Sequence, residues 1–125
     1  MKYLLYQDQV FGTKFHFIVK PESLEQIAKS ITIKDFEREK LLEELKESVE
    51  MDWEGWSYLY KGHVFIVINQ LRGLPTDLNT MVHEIHHAVS FAAEHVGLKK
   101  SKDSEEFFAY YEGFLAGFMF PMINF

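Results

Sequence analysis

The sequence predicts an α+β fold: a small, mostly antiparallel sheet with helices packed on one face. Three observations predict it. Aromatic and β-branched residues cluster in short runs at 3–6, 14–20, 56–60 and 63–69, as strands require. Apolar residues recur at helical spacing in four other segments. The order reads strand, helix, helix, hairpin, helix, helix, and not the regular alternation of a parallel α/β sheet.

Each element has its own signal. Lys14-Phe-His-Phe-Ile-Val-Lys20 is the clearest of the early strand runs. Pro21 suits the first turn of a helix, and Leu24, Ile27, Ala28 and Ile31 then mark one helical face. A longer helix is expected over 35–50, with Phe36, Leu42, Leu45 and Val49 as its apolar stripe and a solvated charged face. Trp56–Tyr60 and His63–Asn69 flank Lys61-Gly62, which reads as a hairpin turn. The loop at Gly73–Asp77 opens the next helix, capped by Thr76 or Thr80 and ending near Gly97. Asp103 or Ser104 caps a final helix over about 104–119, closed by Pro121. Gly113 and Gly117 suggest close helix–helix contact, and the tail from Phe118 to Phe125 is strongly apolar.

Bulk properties narrow the function. The chain has 125 residues, 47% hydrophobic and 16% aromatic, which fits one domain (1–125) with a real core. It has no cysteine, so disulfides and thiolate metal sites are excluded and any transition metal falls to His and carboxylates. The net charge of −6 and the lack of a basic stripe argue against nucleic acid. Lys99, Lys100 and Lys102 are followed at once by acids and read as a solvated loop. No run approaches the roughly 20 apolar residues of a membrane span, and the run at 3–6 is too short for a signal peptide. A cytoplasmic location is expected.

The chemistry-bearing stretch is His83-Glu84-Ile85-His86-His87, an HExxH pattern. On a helix His83 and His87 lie about 40° apart, one turn separated, so their imidazoles can converge on one ion. Glu84 lies about 60° beyond His87, placed to act on a metal-bound water without being a ligand. The expected cofactor is Zn2+. His86 lies on the side away from Glu84 and reads as supporting or simply exposed. His16, His63 and His95 read as structural or surface histidines, and Glu112 as a surface acid.

Two imidazoles do not complete a catalytic zinc site, and a third protein ligand is expected. Glu105 and Glu106 begin the next helix, at a spacing that suits an antiparallel helical hairpin. With these residues the sequence resembles the gluzincin metallopeptidases, whose third ligand is a Glu on the helix after the HExxH helix. In several of them Ala follows three residues later, as in Glu106-Phe107-Phe108-Ala109, which favours Glu106 over Glu105. The resemblance covers 63–117. It implies a zincin-like fold, zinc held by His83, His87 and Glu106, and a peptide or protein substrate. Where the family often has Asp, this sequence has Tyr110. Tyr110 is then a candidate oxyanion donor, with Tyr111 and His86 as alternatives and aromatic packing as the plain reading of either tyrosine.

The leading expectation is therefore a zinc-dependent metallopeptidase whose substrate adds as a strand along the hairpin, at 63–69. The alternative is a non-catalytic interaction protein on a zincin-like scaffold with a structural zinc. The apolar tail marks a candidate homo-oligomer interface, or a segment that holds an enzyme latent. A carboxylate-bridged di-iron protein is a weaker third reading, because Glu84-x-x-His87 has no second copy.

Overall fold

Four strands form the sheet in this computed structural model, which describes residues 1–124. They are β1 (Lys2–Gln7), β2 (Lys14–Val19), β3 (Gly55–Tyr60) and β4 (His63–Ile68), in the spatial order β1-β2-β4-β3. The helices are α1 (Leu24–Ser30), α2 (Asp35–Ser48), α3 (Thr76–His95) and α4 (Glu105–Ile123). The α+β expectation holds in its coarse form. The sheet is mixed: β1·β2 and β3·β4 are antiparallel, whereas β2·β4 is parallel.

That parallel pair explains a correction. The expectation of helices on one face fails, because both faces are covered. Phe15, Phe17, Val19, Val64, Ile66 and Ile68 point to one side and pack with α3 and α4. Ile18, Phe65 and Val67 point to the other, against Leu24 and Ile27 of α1 and Leu41 and Leu45 of α2. Strands buried on both faces read as near-continuous apolar runs, as 14–20 and 63–69 do. A second correction follows: β4 is an inner strand paired on both sides, so 63–69 has no free edge for a substrate. The edges are β1 and β3.

Local chemistry sets the ends of the elements. Lys61 and Gly62 both have positive φ, +45° and +80°, as a two-residue hairpin turn of the primed type needs. Ser23 caps α1 by accepting from the Gln26 N–H, so Pro21 lies ahead of the helix, not in its first turn. Phe36 is 68% exposed. It lies about 180° around the helix from Leu45, and Leu41, absent from the expected stripe, takes the buried position one turn before Leu45. Neither Thr76 nor Thr80 caps α3. Instead the buried Asp77 carboxylate accepts from the backbone N–H groups of Arg72 and Gly73 and folds the preceding loop onto the helix. Gly97 ends α3 with φ +77°, and the Gly97 and Leu98 N–H groups bond the carbonyls of Glu94 and Ala93, a Schellman closure.

Pro121 lies inside α4, which runs on to Ile123. Its ring faces the carbonyl of Gly117, and so close to the helix end only one ladder bond is lost. Met119 and Ile123 are buried in the core and Phe118 and Met122 pack against it, so 118–123 continues α4 against the core with Phe120 left exposed. Phe125 lies outside the described residues. Among the described residues no helix is long and apolar enough to cross a membrane.

A hydrogen-bonded file crosses the α1–α2 side of the sheet. The Tyr3 hydroxyl lies 2.7 Å from His16 Nδ1, and His16 Nε2 lies 2.9 Å from His63 Nδ1. With both rings neutral, Tyr3 donates to His16 and His16 donates to His63. Burial, then His63 and Lys14, hold the His16 pKa down at about 3, and burial with Lys14 lowers that of His63. The unfolded chain therefore binds more protons than the native one below the ordinary histidine value of about 6.5. The stability these rings contribute is complete above that pH and falls away as pH drops from about 6.5 toward 3. Urea midpoints should be level between about pH 7 and 8 and decline steeply below about 6.5. In His16→Gln that decline should be much shallower.

At Gly55 the sheet and α3 are packed tightly. A Cβ built there would lie 2.8 Å from both Thr80 Cγ2 and the Val67 carbonyl oxygen. Gly55→Ala should cost about 1–3 kcal/mol by overpacking, read from urea denaturation. By contrast, a Cβ at Gly113 or Gly117 meets nothing within 4 Å, so neither glycine serves the close contact expected of it.

Candidate metal and catalytic site

α3 divides the HExxH residues between two faces. Met81, Ile85, Ala88, Val89 and Ala92 are buried toward the sheet. His83 and His87 are turned away from that core, and their Nε2 atoms are 3.1 Å apart at an exposed position, with the rings edge to face. Two nitrogens each about 2.0–2.1 Å from one tetrahedral ion stand about 3.3 Å apart, so the pair fits two corners of a zinc site.

Glu84 is only 8% exposed and turns toward β3. Ser57 Oγ lies 2.9 Å from Glu84 Oε1 and 2.8 Å from the Glu84 carbonyl oxygen, so its single proton is shared between the two acceptors. The other carboxylate oxygen has no hydrogen-bond partner among the described residues. Gly55 permits this arrangement, because its missing Cβ leaves room for Thr80 and for the Glu84 side chain. Ser57 and Gly55 are thus site residues that sequence reasoning missed. The only available signal was a serine and a glycine in a strand otherwise rich in aromatics.

His86 Nδ1 lies 2.7 Å from Glu112 Oε1 across the α3–α4 contact. Glu112 is therefore a helix–helix partner and not a plain surface acid. This contact sets the register of the hairpin. Glu106 sits six residues earlier on α4, about 9 Å further along its axis and toward the C-terminal end of α3. It also lies about 120° around α4 from Glu112, and Tyr110 about 160°. Both line a groove on the β1 side with Tyr6, Asp8 and Val10. The structure therefore brings His83 and His87 together, sets Glu84 beside them on a different face, and leaves Glu106 and Tyr110 elsewhere. Glu105 is exposed at the start of α4. Tyr111 is buried against Phe11, Phe15 and Phe107, in the aromatic packing that is its plain reading.

No protein-family model, no curated protein and no solved structure matches the chain. Among the described residues, no group of three or more His, Cys, Asp or Glu side chains is placed to hold a metal ion. These two findings overturn the resemblance to the gluzincin metallopeptidases. The HExxH pattern stands here as a local feature of α3, without the family that its spacing to Glu106 implied.

Proposed function

We propose that the chain is a metal-dependent hydrolase of peptide bonds, with His83 and His87 holding a zinc ion and Glu84 acting as general base. The observation that carries this reading is the 3.1 Å approach of the two Nε2 atoms on an exposed helix face. When bound, zinc supplies a Lewis acid that brings the pKa of a coordinated water toward about 7. The chain's own contribution is positional. Two imidazoles one turn apart bind the ion, and Ser57 holds one oxygen of Glu84 while the other is left to take a proton. The free edge of β3 supports a peptide substrate. Gly55 and Ser57 lie against Thr80 and Glu84, so an extended peptide added to that edge runs beside the HExxH helix. Two protein ligands hold zinc more weakly than three, and loading should be reversible by a mild chelator.

A second reading, a non-catalytic interaction protein, is favoured by one observation. Val10, Phe107, Tyr110 and Phe114 are all exposed on one side of α4 and the β1–β2 turn.

Zinc per chain after dialysis, measured by elemental analysis, separates the two. The hydrolase reading expects one zinc in the wild type, in Glu84→Gln and in Glu106→Ala, and loss of it in His83→Ala. Hydrolysis of a fluorogenic peptide library should fall about 100-fold or more in Glu84→Gln. Zinc uptake by His83→Ala equal to wild type, or no uptake by either, overturns the site and leaves the interaction reading. Ser57→Ala should keep its zinc and lose roughly tenfold in kcat.

A further inference from the structure

A groove of about 840 Å3 lies between α4 and the β1–β2 turn, and it does not depend on the histidine pair. Its walls are aromatic. Tyr6, Phe107, Tyr111 and Phe114 form a connected set of rings, with Tyr6 edge-on to Phe114 at 5.6 Å and Phe107 stacked on Tyr111 at 5.8 Å. Tyr110 stands at the rim, 80% exposed.

Two carboxylates belong to the same groove, Asp8 in the floor and Glu106 at the rim, and no Lys or Arg lines it. Asp8 is 2% exposed and forms no ion pair among the described residues. It is held by the Phe11 N–H and, at 3.4 Å, by the Tyr6 hydroxyl. A buried carboxylate without a cation is costly unless hydrogen bonds or an incoming charge offset it. A second observation also points to a ligand. Tyr111 is 7% exposed and lines the groove, and its hydroxyl lies beside the Asp8 carboxylate without reaching good hydrogen-bond geometry. Burial, and then hydrogen bonding with the Asp8 carboxylate, push the pKa of that hydroxyl well up, so it stays protonated and its oxygen is left to accept from an incoming donor. Buried hydroxyls without partners are rare in native folds.

Rings with negative faces, two carboxylates and no competing cation are the chemistry that recognises an organic cation on an apolar stem. We propose that this groove binds the side chain of a lysine in a partner peptide, its methylenes against Phe107 and Phe114 and its ammonium toward Glu106 and Asp8. Charge complementarity selects this occupant over a second copy of the chain, which carries the same net charge of −6.

The test is a titration of the full chain, followed by amide chemical shifts, with the blocked tripeptide acetyl-Ala-Lys-Ala-amide and its norleucine counterpart. Norleucine keeps the stem and removes the charge. The lysine peptide should bind roughly tenfold tighter, with shifts confined to 6–11 and 106–114, and should weaken as salt rises. Glu106→Gln, a change at an exposed position, should remove most of that preference. Tyr110→Ala should weaken both peptides. Equal or tighter binding of the norleucine peptide would overturn the proposal in favour of a purely apolar groove. Shifts at the same residues that grow with protein concentration alone would overturn it by assigning the face to a second copy. So would the absence of any shift with either peptide at tens of millimolar.

Discussion

The parallel pairing of β2 with β4 is the constraint on which the rest of the molecule depends. It places at the centre of the sheet two strands whose polar residues are Lys14, His16 and His63 alone. Neither face of such a pair can meet water, so both need a helical layer. α1 and α2 cover one face, and α3 and α4 cover the other. The crossover from β2 to β4 carries α1, α2 and β3, which sends β3 to the outer edge.

β3 then determines how α3 sits. The strand offers α3 its least bulky residues, Gly55 and Ser57, and its large ones, Trp56 and Tyr60, point to the other face. A helix can settle closely where side chains are small, and here Thr80 and Glu84 lie against Gly55. Burial of Glu84 follows from that seat, and the Ser57 hydroxyl gives the carboxylate a donor in place of lost water. His83 and His87 lie away from the residues that pack, on the solvent side. One helix thus carries a carboxylate held by Ser57 on its packed side and an exposed imidazole pair, in contact with each other, on another, with no loop involved.

Much of this is legible in the sequence. Strand runs, the Lys61-Gly62 turn, the Gly97 stop and the HExxH helix follow from short-range rules of backbone preference and periodicity, and each is found where those rules put it. The rest requires information that neighbours in sequence do not carry. Composition assigns Phe36 to the α2 stripe, but six or nine residues of helical rotation carry it well away from Leu42 and Leu45. The two-sided burial of the sheet depends on strand order, which periodicity does not encode. Ser57 and Gly55 acquire meaning only when α3 lands on β3. The link from His87 to Glu106 is a matter of spacing alone. Spacing permits a hairpin but does not set its register, and the contact that marks it, His86 with Glu112, involves two residues outside the expected ligand set.

α4 shows why that register matters. The helix is apolar around most of its circumference, so hydrophobicity by itself gives no preferred face to bury. What orients it is polar as much as apolar. Glu112 meets His86 on the α3 side, and Phe108, Leu115 and Met119 follow it into the core. Once those positions are committed, Glu106, Tyr110 and Gly113 are turned to the far side, where the β1–β2 turn brings Asp8 and Tyr6 to meet them. The acid that spacing assigns to the histidines is thereby given to an aromatic groove. The buried stripe of α4, with the His86–Glu112 contact beside it, thus lies between the histidine pair and the aromatic groove.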